Sequence, residues 1–362
     1  MDSLTQIVLG AAVSVAVSGR RIGPRKAALL GAGLGTLPDL DVLISHGDAV
    51  SDFILHRGWS HSLLVHATLT PLIAEGLMRA FSGLREHRVT AYLTVFLCLA
   101  THALLDAMTV YGTQLLWPLT NTPYGIGSVF IIDPLYTLPL AIAAVWALLR
   151  RDWSARAGRI TAVALTLSSL YLGWSLAAQQ IADGKAREVL AQAGLTAGKL
   201  LATPMMPFNT LFWRTIAIDG NRYYNIYQPL FAGTDAARIH IHPRLAETGP
   251  CLDTIPSGAA VAVFSKGYYR TFMDDSGLRI ADLRMGVTPS FVFDFRVAVP
   301  DGARWKAIMP ERVRNARSAS GDIGWLLDGM RGGNGVRPAE AASLFDPATP
   351  VLAALPETLS CG

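Results

Sequence analysis

"VTAYLTVFLCLATHALLDAMTV", residues 89–110, decides how the chain is read. It carries no acidic or basic side chain apart from His102 until Asp106, and it reaches the roughly 20 residues a helix needs to cross a bilayer. At its far end His102 and Asp106 are spaced i, i+4, which stacks them on one side of a helix about one turn apart. A membrane helix ending in an imidazole and a carboxylate sets two questions: how many such helices there are, and what the polar pair holds.

Composition answers the first in outline. The 362 residues are 51% hydrophobic and only 16% charged, with a mean hydropathy of +0.35, too apolar for an ordinary soluble domain. Further apolar runs cover Ile7 to Ser18, Ala27 to Pro38, Ser62 to Phe81, Val129 to Leu149 and Ile160 to Ala178. The expected fold class is therefore an α-helical integral membrane bundle of about six membrane segments, followed by a β-rich soluble C-terminal domain. The first two runs are short and fit either thin, tilted spans or a re-entrant hairpin. The N-terminal run lacks a basic n-region and is followed by Arg20 and Arg21, so it is expected to stay on the chain and not to be cleaved as a signal.

After Gln179 the texture changes to Gly, Pro, charge and short alternating stretches. "RTIAIDGNRYYNIYQPLF", "ARIHIHP", "AAVAVFSKGYYRTF" and "PSFVFDFRVAV" predict antiparallel strands, with "DDSG" and "DG" as turns. The expected organisation is a membrane-embedded metal-binding helical domain over 1–180, a linker over 181–199, a β-rich extracytoplasmic domain over 200–305 and a loosely ordered region over 306–362.

Basic residues sort the loops. Arg20, Arg21, Arg25 and Lys26, then Arg79, Arg85 and Arg88, then Arg150, Arg151, Arg156 and Arg159 alternate along the chain and mark the cytoplasmic side. The intervening loops, 39–61 and 107–132, hold Arg57 alone against Asp39, Asp41, Asp48 and Asp52. An even number of crossings then puts the C-terminal domain outside the cytoplasm. The net charge of +4 reports this topology and not a nucleic-acid partner. Cys98 falls in a predicted span; Cys251 and Cys361 fall in the exported part, where they either pair or remain thiols.

Three polar motifs reach one membrane face: "PDLD" with Asp39 and Asp41, "HRGWSHS" with His56, Arg57 and His61, and "HALLD" with His102 and Asp106. Imidazoles and carboxylates are the ligand set of zinc and similar divalent ions, and unpartnered charges are costly near lipid. Their coincidence at a face assigned without them predicts a metal site. Gln6, on the same face, is either a weak amide ligand or a group that orients water or a ligand. Asp41 or Asp106 is alternatively a general base, and Arg57 either grips a phosphate oxygen or caps the interface against lipid headgroups. His66 reads as a packing donor, Asp133 before Pro134 as a helix cap, and Glu75 as a residue with no motif around it. Tyr111, Gln114 and Trp117 read as interfacial or as the wall of a groove. His240 and His242 share a strand face and read as ordinary surface residues.

"MDSLTQ", "PDLD", "HRGWSHS" and "HALLDAMTVYGTQLLWP" together resemble the membrane-bound, LexA-regulated metal-dependent hydrolases of bacteria, over about residues 1 to 150. That family is grouped with zinc-dependent phospholipase C and the P1-type nucleases. The resemblance implies metal roles for Asp39, Asp41, His56, His61, His102 and Asp106, and some relatives have His where this chain has Gln6. "PFNTLFWR" and "YYNIY" also look like a region found behind the membrane part in some relatives. The expectation is a multi-pass protein of the bacterial inner membrane. It would bind two or more divalent ions, zinc first and manganese second, and cleave a phosphoester of a lipid or lipid-linked substrate. Ion or proton-coupled transport and a non-catalytic metal-binding scaffold are the alternatives; clustering at one face and the lack of paired broken helices disfavour transport.

Overall fold

The computed structural model describes residues 1–205, 210–244, 252–274, 276–302, 304–314, 320–333 and 335–341. They form two compact units. One joins Met1–Ile44 to Leu55–Ala177, the other joins Ser45–Ile54 to Ala178–Met205 and the described chain from Thr210 on. In chain order the first helices are α1 (Ser3–Ile22), α2 (Pro24–Thr36), α3 (Ala49–Leu55), α4 (Leu63–Ala80), α5 (Ser82–Arg85), α6 (Arg88–Met108), α7 (Pro134–Leu148) and α8 (Ala155–Gln192), with 3-10 turns at Pro38–Leu43 and Trp59–His61.

Local chemistry sets the first helix pair. The Asp2 side chain accepts from Thr5 N at 3.1 Å and caps α1; Gly23, at φ 83°, ends it, and Pro24 opens α2 at the position where its missing N–H costs nothing. The two helices touch through small residues. A Cβ on Gly10 would overlap the Gly31 carbonyl, one on Gly31 the Gly10 carbonyl, and one on Gly35 the Gln6 carbonyl. Without a hydrophobic drive between helices in lipid, such close backbone approach is what packs them. Cys98 of α6 lies 3.5 Å from the Gly10 carbonyl, while Gln6 meets His102 and Asp106. α1 and α6 are therefore antiparallel.

Among the described residues three helices, α1, α6 and α8, are long and apolar enough to cross a membrane, which corrects the expectation of about six. α2 has 13 residues, roughly 20 Å at 1.5 Å per residue, against about 30 Å of hydrocarbon. α7 has 15 residues, because the apolar run from Val129 is cut where Asp133 caps the helix at Pro134. α4 has 18 residues but contains His66, Pro71, Glu75 and Arg79. The even count of crossings behind the exported C-terminal domain therefore does not follow from the helices. What persists is an end-to-end asymmetry: Arg20 and Arg21 close α1, Arg88 opens α6, and Arg156 and Arg159 lie in the first turns of α8.

In the second unit, strands β1 (Lys199–Pro204), β2 (Phe212–Asp219), β3 (Arg222–Pro229) and β4 (Arg238–Pro243) form one antiparallel sheet in the order β1-β2-β3-β4. A second sheet runs β10-β9-β6-β5, from β5 (Tyr269–Asp274), β6 (Gly277–Asp282), β9 (Asp294–Asp301) and β10 (Arg304–Arg312), with a small β7 (Gly286–Val287) and β8 (Ser290–Phe291) ribbon beside them. The β-rich expectation holds, with one correction: "AAVAVF" lies in a helix, Pro256–Phe264, since Pro256 starts it and the run has no polar alternation to define a sheet face. Phe53 of α3 packs on Phe293 and Phe264 at ring distances of 4.3 and 4.8 Å. Residues 181–192, read as linker, continue α8. The 306–362 region contributes β10 and the helices Asp322–Met330 and Pro338–Ala341. Cys251 and Cys361 lie outside the described residues.

Candidate metal centre

Three segments of the helical unit deliver their donors to one point. His102 comes from the last turns of α6, with its Nδ1 2.7 Å from the Gly35 carbonyl. A carbonyl only accepts, so Nδ1 carries the proton and Nε2 faces the centre. The Gly35 carbonyl of α2 thus fixes the tautomer of a histidine on another helix. His61 sits on the 3-10 turn Trp59–His61, its Nδ1 2.9 Å from Ser60 Oγ. The single Ser60 proton goes to Asp41 Oδ2, 2.6 Å away, so Ser60 accepts from His61 Nδ1 and His61 Nε2 also faces inward.

There His61 Nε2 lies 3.1 Å from His102 Nε2, 3.3 Å from Asp106 Oδ2 and 3.4 Å from Asp39 Oδ1. Asp39 Oδ1 is 3.4 Å from His102 Nε2. The donor atoms of Asp39, His61, His102 and Asp106 all lie within 4.8 Å of one another. Two inward nitrogens and two carboxylates make a pocket that calls for positive charge. Burial opposes charge on His61, yet Asp106 and Asp39 raise its pKa above the usual histidine value. Burial likewise opposes ionisation of Asp39, but hydrogen bonds to His102 and His61 hold its pKa below the usual carboxylate range. Gln6 donates from Nε2 to Asp106 Oδ1 at 3.0 Å and to the His102 carbonyl at 3.3 Å, while its buried Oε1 has no hydrogen-bond partner. An N2O2 donor set with a stranded amide oxygen beside it fits a divalent ion of the zinc type.

Arg57 balances the carboxylates. Its φ of 63° is the left-handed region, which a bulky residue occupies only when its surroundings hold it there. Its N–H donates to Asp41 Oδ2 at 3.0 Å, its Nε lies 3.0 Å from Asp106 Oδ2, its second guanidinium nitrogen donates to Thr109 Oγ1 at 3.2 Å, and its guanidinium covers the Tyr111 ring at 4.9 Å. The Met1 ammonium pairs with Asp106 Oδ1. Arg57 is buried, 4% exposed, with its guanidinium turned to Asp106, Thr109 and Tyr111.

Asp41 and His56 lie beside the four-residue group and not within it. Asp41 Oδ1 binds His56 Nδ1 at 2.9 Å, and Oδ2 takes the Arg57 N–H and the Ser60 hydroxyl. Burial pushes the Asp41 pKa up, but the His56 contact and the Ser60 hydroxyl outweigh it and bring the value down to about 2. His66 Nε2 meets the Ser60 carbonyl at 2.7 Å, a packing role. Asp133 caps α7 and accepts from Tyr171 at 2.7 Å. Glu75 pairs with Arg88 and Tyr92. Tyr111 and Gln114 are buried, Gln114 N donating to the Arg57 carbonyl at 3.0 Å, while Trp117 O accepts from Ser62. Of the three, Tyr111 lies beside the centre, under the Arg57 guanidinium and 5.7 Å from the His56 ring. Ser60 and the Gly35 carbonyl had no signal in the sequence beyond their neighbourhood. His240 and His242 are buried, correcting their assignment to the surface; both face Glu340, which lies about 100 residues further on.

A family model described as YdjM inner membrane protein matches residues 1–182, just over half of the chain and every residue of this centre. The chain belongs to the YdjM inner membrane protein family. Its apolar helices and the resemblance of its motifs to the LexA-regulated membrane family agree with that membership. The YdjM match stops short of both β-sheets and carries neither hydrolase activity nor kinship with the P1-type nucleases. No curated protein and no solved structure matches the chain.

Proposed function

We propose that this YdjM-family protein is a membrane-bound, divalent-metal-dependent hydrolase that cleaves a phosphoester in a lipid or lipid-linked substrate at the outer face of the inner membrane. The observation that carries the proposal is the convergence of Asp39, His61, His102 and Asp106 from three segments within 4.8 Å. These four residues would hold the ion, zinc first and manganese second, with Gln6 as the neighbouring amide. When bound, a divalent ion supplies Lewis acidity toward a phosphoryl oxygen and acidifies water.

The remaining roles fall to the chain itself. Asp106 is engaged on both oxygens, by Gln6 and Met1 on one and by Arg57 and His61 on the other, so it serves as ligand and not as base. Asp41 orients His56, whose side chain is 26% exposed; this pair is placed to move a proton between water and the leaving oxygen. Arg57 holds Asp106 and limits repulsion between the carboxylates.

A lipid substrate is supported by what surrounds the acidic turn. A cavity of about 290 Å³ opens beside Asp41, lined by Leu37, Pro38, Leu40, Trp59, Val65 and Ile73. Leu40, Val42, Leu43 and Ile44 are exposed on the same turn, an apolar surface suited to acyl chains. The outer face is supported by the basic ends of α1, α6 and α8, which lie away from Gln6 and Asp106 and mark the cytoplasmic side.

A non-catalytic metal scaffold is the second reading, favoured by the full burial of the His61, His102 and Asp106 side chains. Turnover separates the two. Detergent-purified protein loaded with zinc or manganese is expected to hydrolyse a chromogenic phosphodiester or a short-chain phospholipid, with loss of activity in Asp39→Ala and His56→Ala. Metal-loaded protein that turns over neither substrate class favours the scaffold.

A further inference from the structure

The sheet domain contains a second group of ligand-type side chains. His240 and His242 are two apart on β4, so their side chains leave the same face of the strand. Among the described residues β4 is the edge of its sheet, paired only with β3. Glu340, from the short helix Pro338–Ala341, brings its carboxylate against that face. Glu340 Oε1 lies 2.7 Å from His242 Nε2 and 3.3 Å from His240 Nδ1, and the three donors lie within 4.8 Å of one another. All three residues are buried.

We propose that His240, His242 and Glu340 form a second divalent-metal site, of the two-histidine, one-carboxylate type that suits zinc and neighbouring first-row ions. The surroundings orient each donor. Asn225, opposite His240 in the β3–β4 register, donates to Glu340 Oε1 at 2.7 Å, and the Tyr227 hydroxyl donates to Oε2 at 2.6 Å. Tyr223, opposite His242, stacks on its ring at 5.0 Å. Such partners of the ligands set their direction and basicity. Arg337 anchors the Glu340 segment through two hydrogen bonds of 2.8 Å to Asp322.

A hydrogen-bonded latch without metal leaves one atom unexplained. His240 Nδ1 is buried and meets Glu340 Oε1 at 3.3 Å, longer than the 2.7 Å contact from His242 and without hydrogen-bond alignment. A polar atom in the interior without an aligned partner is unfavourable, and an ion shared with His242 and Glu340 would satisfy it. Enclosure makes the role structural: the ion would tie the Pro338–Ala341 segment onto the face of the sheet formed by β3 and β4.

The test uses the full-length protein in detergent with cobalt(II) as the probe. A His61→Ala/His102→Ala background removes two donors of the proposed centre in the helical unit. That background should still bind about one equivalent of cobalt with visible d–d absorption, and adding Glu340→Gln should weaken the binding by more than about tenfold. Glu340→Gln keeps the size of the side chain and an acceptor for Tyr227; an unchanged near-ultraviolet dichroism confirms that the domain stays folded, and His242→Asn serves as the second variant. A background protein that binds no cobalt, or a Glu340→Gln protein that binds it unchanged, overturns the proposal and leaves a hydrogen-bonded latch. Failure of the helical centre alone would read differently: wild type and background would then bind the same single equivalent.

Discussion

Replacing Arg57 by Gln tests whether the Asp106 carboxylate is balanced as described. The guanidinium Nε is 3.0 Å from Asp106 Oδ2, and both side chains are buried. Removing one partner of a buried ion pair costs about 3–5 kcal/mol, because the other charge is left without compensation. Here the loss should sit near about 3 kcal/mol, since the Met1 ammonium and Gln6 remain on Asp106 Oδ1. For a folding unit of this size that amounts to a fall in Tm of about 6–12 °C. An ion at the centre also neutralises Asp106, so saturating zinc should shrink the difference between wild type and Arg57→Gln to about 1 kcal/mol, roughly 2–4 °C. Arg57→Gly should melt above Arg57→Gln, because glycine relieves the left-handed strain worth about 1–2 kcal/mol. The assay is tryptophan-fluorescence melting of detergent-solubilised protein, with chelator and with zinc. An Arg57→Gln protein that melts with wild type in chelator, or a gap that zinc fails to narrow, refutes the charge balance.

Three further outcomes follow from named contacts. Gly31→Ala should lose about 1–3 kcal/mol through overlap with the Gly10 carbonyl, whereas Gly33→Ala, which meets nothing within 4 Å, should be neutral or gain up to about 1 kcal/mol; melting curves of the two compare them directly. Gln6→His should retain or raise metal occupancy, since imidazole binds zinc better than an amide oxygen; a drop in bound metal counts against a place for residue 6 beside the ion. A reporter fusion at residue 86 should report cytoplasm and one at 120, beyond α6, the outer side, and a cytoplasmic signal at 120 would move the centre to the inner face.

Much of the centre was legible because its chemistry is local. "HALLD" places His102 and Asp106 on one helical face whatever the tertiary fold, and a bilayer makes such a pair conspicuous. Which members of "PDLD" and "HRGWSHS" turn inward was not legible: Asp39 faces the cluster and Asp41 binds His56, Ser60 and Arg57 on a 3-10 turn whose rotation no pattern gives. The number of spans was overread because apolar composition marks both lipid-facing and protein-buried helix, and the cuts at Asp133 and after Thr36 depend on caps. The antiparallel strands followed from alternation, except where "AAVAVF" had none. His240 and His242 passed as surface residues because their partner, Glu340, arrives from a segment about 100 residues away that composition marked as loosely ordered.

The central claim is that Asp39, His61, His102 and Asp106 hold one divalent ion. Elemental analysis of purified, metal-replete protein, normalised to folded monomer in a Glu340→Gln background, measures it directly. The account predicts about one equivalent of zinc or manganese in that background, reduced in each of Asp39→Ala, His61→Ala, His102→Ala and Asp106→Ala, and retained in His66→Ala, whose imidazole only packs on the Ser60 carbonyl. Background protein without any divalent ion, or alanine variants that keep their metal, would contradict it.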